Sequence, residues 1–252
     1  MSGRPEYATV ELGGLSVGLV VARPGQDIAA ALSAAGRDAP ADLLSSRETQ
    51  IHEAFRFEPR RRDWLAGRLA AKLVLLGHLD EPGLDPASVE ILPEESRMPL
   101  AYRVLGDGRS RKLPVSVSIS HRGGAAAAAV IPEEAGCVGV DIEIMEPRSE
   151  GLAEDNFTQG ERTLMRSMPA AEAEWAIAII WSLKEAALKA AGLGLSVPAT
   201  DAEVVELDVA GSRASVRLAG EAADGEPRLA GAWIRLEPPL IVTVAVVDSA
   251  GM

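Results

Sequence analysis

Residues 64–72 read Trp64-Leu-Ala-Gly-Arg-Leu-Ala-Ala-Lys72, and residues 181–189 read Trp181-Ser-Leu-Lys-Glu-Ala-Ala-Leu-Lys189. In each stretch a tryptophan stands eight positions before a lysine, which puts the two side chains on roughly one face of a helix. Each stretch also follows a strand-like run and precedes a β hairpin. The shared order of elements favours a duplicated α+β unit with a cleft between its copies, where pockets commonly form.

Working outward from these helices, hydrophobic periodicity predicts a strand over Leu15 to Val21, a short helix over Asp27 to Ala35 and a longer helix over Asp63 to Leu79. Pro82, Gly83 and Pro86 break the chain. Val115 to Ser120 alternates as a strand does. The alanine run ending at Val130 and Ile131 has the composition of a helix, but Gly123-Gly124 before it and Pro132 after it favour the second strand of a hairpin. In the second half, Val138 to Ile144 reads as a strand, Asn156 to Arg166 as a helix, and Glu172 to Ala191 as a helix stopped by Gly192 and Gly194. Strands are expected at Ala202 to Leu207, Ala214 to Leu218 and Trp233 to Val247, the last split by Pro238-Pro239, as an antiparallel sheet.

At 252 residues, 47% of them apolar, the chain has ample material for a buried core. Its opening residues lack the basic start and apolar run of a signal peptide, and no stretch has the apolar length of a membrane span, so a cytoplasmic protein is expected. The single cysteine, Cys137, lies in an apolar run and is expected to be an inert thiol. A net charge of −12 argues against broad nucleic-acid binding. The positive charge is nonetheless clustered, at Arg56, Arg60, Arg61, Arg62, Arg68 and Lys72 and again at Arg103, Arg109, Arg111 and Lys112. These are either solvated faces or local sites for a small polyanion.

Four segments carry candidate chemistry. In Gly139-Val-Asp-Ile-Glu-Ile-Met145, strand alternation turns Asp141 and Glu143 to one side and Val140, Ile142 and Ile144 to the other. Two adjacent carboxylates are either a solvent-facing edge pair or ligands of a hard cation such as Mg²⁺, which prefers oxygen donors. Trp181, Lys184, Glu185 and Lys189 fall within one broad helix face, as surface ion pairs would. The tryptophan should draw that face inward, which favours a phosphate-binding lysine pair beside a carboxylate. Ser120 and His121 end a strand at a glycine turn, where they either cap it or contact a phosphate. Arg62 shares the apolar face of Leu65, Leu69, Leu73 and Leu76, so its guanidinium is expected to turn toward the body of the protein, snorkelling or binding phosphate.

Taken in order, the Leu-Ala-Gly-Arg stretch, Ser-His, Gly-Val-Asp-Ile-Glu and Trp-Ser-Leu-Lys-Glu-Ala with its later lysine resemble the 4′-phosphopantetheinyl transferases of the surfactin-synthetase-activating type. The resemblance runs from about Arg47 to Pro198, and the length is similar to that of the pseudo-dimeric class. It implies two similar α/β halves related by a pseudo-twofold axis, with the active site in the cleft between them. Residues 1–134 would form the nucleotide side and 135–252 the metal and catalytic side. The implied activity is Mg²⁺-dependent transfer of 4′-phosphopantetheine from coenzyme A to a serine of an apo acyl or peptidyl carrier protein, releasing 3′,5′-ADP, by a monomeric enzyme. Asp141, Glu143 and Glu185 would hold Mg²⁺. Lys184 and Lys189 would neutralise the phosphates, with Glu185 and Lys189 as the catalytic pair. Arg62, Ser120 and His121 would bind the 3′-phosphate and nearby nucleotide, and Arg97 and Pro99 the adenine. Glu161 would be a supporting metal ligand or base. Met98 and Leu193 stand where lysines are common in the family. The rival readings are a noncatalytic carrier-binding module of the same fold and a Mg²⁺-dependent nucleotide phosphohydrolase.

Overall fold

The computed structural model describes residues 8–22, 33, 36–81, 83–93, 98–146, 150–168, 170–218, 228–235 and 240–248. The architecture is α+β, and the chain divides into two compact units: Met1–Glu11 with Ser16–Glu134, and Leu12–Leu15 with Ala135–Met252. Of the short helix expected over Asp27 to Ala35 only Ser33 is described, and it is helical; the Pro238-Pro239 interruption lies outside the described residues.

In the first unit, strands β1 (Ala8–Leu12), β2 (Leu15–Ala22), β6 (Val115–Arg122) and β7 (Ala125–Pro132) form a sheet of order β1-β2-β7-β6. β6 and β7 are the expected hairpin, with His121 opposite Ala126 and Val115 opposite Pro132. The alanine run is therefore a strand, and its residues are almost wholly buried. Small side chains suit it because helix α2 (Glu58–Leu79) lies directly across β6 and β7. An ideal Cβ placed on Gly67 of α2 would come within 2.9 Å of Ile119 Cγ2.

Helix α2 starts five residues before the expected Asp63, because Pro59 presets the backbone of the first turn and the arginines after it are good helix formers. It ends at Asp80, which takes a left-handed conformation at φ 47°. The pattern also missed helix α1 (Ser46–Ala54) and a second sheet, β3 (Val89–Pro93), β4 (Pro99–Val104) and β5 (Ser110–Lys112), paired in that order. The core under α2 is Ala66, Ala70, Ala71, Val74 and Leu75 against Val20, Ala22, Val117, Ala126, Ala128 and Val130.

The second unit is one five-stranded antiparallel sheet, from β8 (Gly136–Ile144) through β12 (Leu240–Asp248), β11 (Arg228–Arg235) and β10 (Arg213–Leu218) to β9 (Ala202–Asp208). Helix α5 (Ala170–Ala190) packs on β8 and β12. The helix expected over Asn156 to Arg166 starts three residues later, as α4 (Gln159–Arg166), and is preceded by a separate helix that the pattern missed, α3 (Glu150–Asn156). They separate at Phe157-Thr158 because Thr158 caps α4, accepting a hydrogen bond from Glu161 N while the Glu161 carboxylate accepts one from Thr158 N.

Candidate functional site

In β8, alternation turns Gly139, Asp141 and Glu143 toward α5 and Val140 and Ile142 away from it. Gly139 sets the spacing. An ideal Cβ there would fall 1.8 Å from Ala186 O and 2.6 Å from Ala190 N, so the helix rests on bare strand backbone. This close approach brings short side chains of α5 onto the carboxylates. Ser182 Oγ donates to Asp141 Oδ2 at 2.8 Å, and Lys189 Nζ donates to Asp141 Oδ1 at 2.7 Å and to Val140 O at 3.1 Å. Asp141, Glu143 and Glu185 are all buried, with relative exposures of 5%, 7% and 8%.

Burial pushes the Glu185 carboxyl above its ordinary pKa. The Lys189 ammonium opposes that rise, and the charges of Asp141 and Glu143 add to it. Among the described residues, the charges that act on Glu185 are those of Asp141, Glu143 and Lys189, on a largely dehydrated surface. The all-oxygen donor set of Asp141, Glu143 and Glu185 fits a hard divalent cation. Among the described residues no three His, Cys, Asp or Glu side chains form a ready-made metal cage.

Lys184, expected beside Lys189, is not part of this cluster. It is fully buried and donates to Glu161 Oε2 at 2.6 Å, with its ammonium 5.3 Å from the centre of the Phe157 ring. The broad helix face drawn from the sequence therefore splits between residues 184 and 185, about 100° apart around the helix. Glu161 is equally committed. Its other partners are Thr158 N at 2.9 Å and Val204 N at 2.8 Å, so it ties the start of α4, the start of β9 and the middle of α5 together.

The first unit contains the same device. Glu48 is fully buried, closes a capping box with Ser45, accepts from Ile91 N at 2.9 Å and pairs with Lys72 at 2.7 Å. Both glutamates reach a strand amide 43 residues later in the chain. Residues 45 and 158, 48 and 161, and 91 and 204 are each 113 apart, and the lysines at 72 and 184 are 112 apart. The structural partner of Lys72 is thus Lys184. The sequence match that paired Lys72 with Lys189 is out of register by five residues.

The first unit also holds a cavity of about 220 Å³ lined by Trp64, Gly67, Arg68, Pro93, Pro99, Ile119 and His121. Of the expected nucleotide-binding residues, Pro99 and His121 line it. Ser120, the next residue on β6, points to the opposite face of the sheet. Arg97 lies outside the described residues. Arg62 is exposed, contrary to the expectation that it turns inward, because it sits near the open end of α2 before the helix is covered.

Arg68 takes the inward role. It is 7% exposed, its guanidinium lies 4.6 Å from the centre of the Trp64 ring, and its Nε and Nη1 have no hydrogen-bond partner. Burial lowers its pKa to about 10 against the opposing pull of Glu48, whose Oε1 is 4.0 Å away. A buried arginine with unused donors at a cavity wall has the chemistry that suits an anion. The signal that could have found it is its setting between Gly67 and Ala70-Ala71, small residues that mark where α2 meets the sheet.

Residues 137–232 match the model of the 4′-phosphopantetheinyl transferase superfamily, a segment that contains the carboxylate strand and all of α5. The chain is 33% identical over 158 residues to the 4′-phosphopantetheinyl transferase HetI of Nostoc sp. (strain PCC 7120 / SAG 25.82 / UTEX 2576), a match covering 62% of this chain and 62% of that relative. A crystal structure of Thermotoga maritima holo-[acyl-carrier-protein] synthase aligns with 53% of this chain and 78% of its own, at 22% identity and a TM-score of 0.33. Both of the first two matches make the 4′-phosphopantetheinyl transferase superfamily what this chain is similar to, and the chain spans less than two thirds of the relative that it matches. Among the described residues, no helix is long and apolar enough to cross a membrane.

Proposed function

We propose that the chain transfers the 4′-phosphopantetheine arm of coenzyme A to a serine hydroxyl of an apo carrier protein. The observation that carries this reading is the buried set of three carboxylates and one lysine where β8 meets α5. Its carboxylate oxygens would hold Mg²⁺ through Asp141, Glu143 and Glu185. When bound, the cation supplies charge neutralisation for the pyrophosphate.

The protein's own residues account for the rest. Lys189, 25% exposed at its side chain, presents an ammonium at the edge of the cluster for phosphate oxygens. Burial raises the pKa of Glu185 above its ordinary value, which makes its carboxylate a better proton acceptor. The carrier serine Oγ attacks the pantetheine-side phosphorus, its proton passes to Glu185, and the bond to 3′,5′-ADP breaks. Arg68, with His121 at the other side of its cavity, would receive an anionic group of the nucleotide, the role first assigned to Arg62. Lys184 and Glu161, satisfied by each other and by backbone amides, are assigned to holding the fold.

Intact-protein mass spectrometry of an apo carrier protein incubated with this chain, coenzyme A and Mg²⁺ tests the proposal. A gain of one phosphopantetheine that EDTA abolishes is the expected result. Coenzyme A binding without any gain would indicate a carrier-binding module, and release of 3′,5′-ADP without a carrier would indicate a phosphohydrolase.

A further inference from the structure

Ser182 and Thr243 are both fully buried where α5 crosses the sheet, and their hydroxyl oxygens are 2.8 Å apart. Each hydroxyl has one proton to give. Ser182 Oγ donates to Asp141 Oδ2 at 2.8 Å, its strongest available acceptor, and Thr243 Oγ1 has the Ser182 carbonyl and Ser182 Oγ, both at 2.8 Å, as acceptors for its own proton. Thr243 also stands directly opposite Asp141 in the β8–β12 ladder. The Ser182 proton is committed to Asp141, so the single Thr243 proton is shared between the two acceptors that Ser182 offers it, the carbonyl oxygen and Oγ, each 2.8 Å away, and β12 supports the serine that holds one oxygen of the carboxylate.

Two buried hydroxyls in a helix–sheet core are not required by the fold, and the first unit shows it. The position equivalent to Ser182, 112 residues earlier as Lys72 is to Lys184, is Ala70, and the β7 side chains under α2 are Ala126, Ala128 and Val130. The same packing is achieved there without a polar atom. What differs in the second unit is the aspartate.

We infer that Ser182 and Thr243 are positioning residues for Asp141. They fix the rotation of its carboxylate by holding Oδ2, so that Oδ1, the oxygen bonded to Lys189, is the one presented to a cation. This inference rests on the assignment of Asp141 as a cation ligand. Partners of this kind typically contribute a factor of about 10–100 to metal affinity.

The test uses Mn²⁺ as a paramagnetic probe of the hard-cation site, titrated into the full chain without coenzyme A or carrier and followed by electron paramagnetic resonance. Ser182→Ala should weaken Mn²⁺ binding about 10–100-fold while leaving the chain folded, since alanine is a good helix former. Thr243→Val, equal in shape but without the hydroxyl, should weaken it by a smaller factor, and Thr243→Ser should recover most of that loss. Mn²⁺ affinity unchanged in both Ser182→Ala and Thr243→Val would overturn the inference while leaving the metal assignment standing. A wild-type chain that binds no Mn²⁺ would overturn both.

Discussion

In the first unit, the sheet face under α2 is Val20, Ala22, Val117, Ala126, Ala128 and Val130; in the second, the face under α5 carries Asp141, Glu143 and Thr243 beside Ile241, Ala245 and Val247. Both units nevertheless keep the buried glutamate–lysine tie, Glu48 with Lys72 and Glu161 with Lys184, on the same capping box and the same reach to a strand amide. Among the described residues the carboxylate cluster is confined to the second unit, so the first acts as an internal control for it. What the two share belongs to the fold. What only the second has, the acidic strand and its serine and threonine, carries a desolvation cost that packing alone does not justify.

The comparison can be attacked first at the shared feature. Glu48→Gln and Glu161→Gln should each destabilise the chain by about 3–5 kcal/mol in urea unfolding, because each leaves a buried lysine without its counter-charge. Near-equal losses would sharpen the equivalence. A folded Glu161→Gln protein with turnover far below that of Glu48→Gln would show that the second tie has acquired a chemical role. Next comes the feature confined to one unit. Asp141→Ala should lower phosphopantetheine transfer by roughly 3–4 kcal/mol of transition-state stabilisation, a hundredfold to a thousandfold, with secondary structure by circular dichroism intact. Near-normal turnover would remove the metal assignment.

The first unit has its own distinct feature in Arg68. Arg68→Met should weaken coenzyme A binding by roughly 1.5–3 kcal/mol in calorimetry, the range for hydrogen bonds to charged groups, whereas Arg62→Met should change it little. Equal effects at the two positions would break the assignment of the cavity. The smallest effect concerns Glu185. Its folded-state pKa is raised, so its contribution to stability is present below the ordinary carboxylate value of 4.5 and is lost as pH rises through the raised value. In metal-free buffer, Glu185→Gln should therefore be more stable than the wild type at neutral pH, and that advantage should vanish in acid. An advantage that persists at low pH would point to packing as its source.

The duplicated α+β plan, the hairpin of Val115 to Pro132 and the acidic strand were legible because each rests on local alternation and turn residues. The register of the duplication was not. Two alanine-rich helices can be superposed in several ways, and the pairs that decide among them link Lys72 to Glu48 and Lys184 to Glu161 across more than twenty residues. The Ser45-Ser-Arg-Glu48 capping box was readable in principle and would have revealed α1. Strands β3 to β5 escaped because their side chains are mostly half-exposed or polar, without the apolar run that marks β8 or β12. Arg62 and Arg68 share a helix, and only its coverage by the sheet separates an exposed arginine from a buried one.

The bare backbone at Gly139 has a consequence for how this sequence can change. A methyl group there would strike the backbone of α5, and Ser182, Glu185 and Lys189 all ride on that helix. The carboxylates can be exchanged one at a time, each with a graded loss, but at position 139 even the smallest step displaces all three together. Mutational drift in the second unit is thus channelled around a residue that takes no part in the chemistry and has no neutral neighbour.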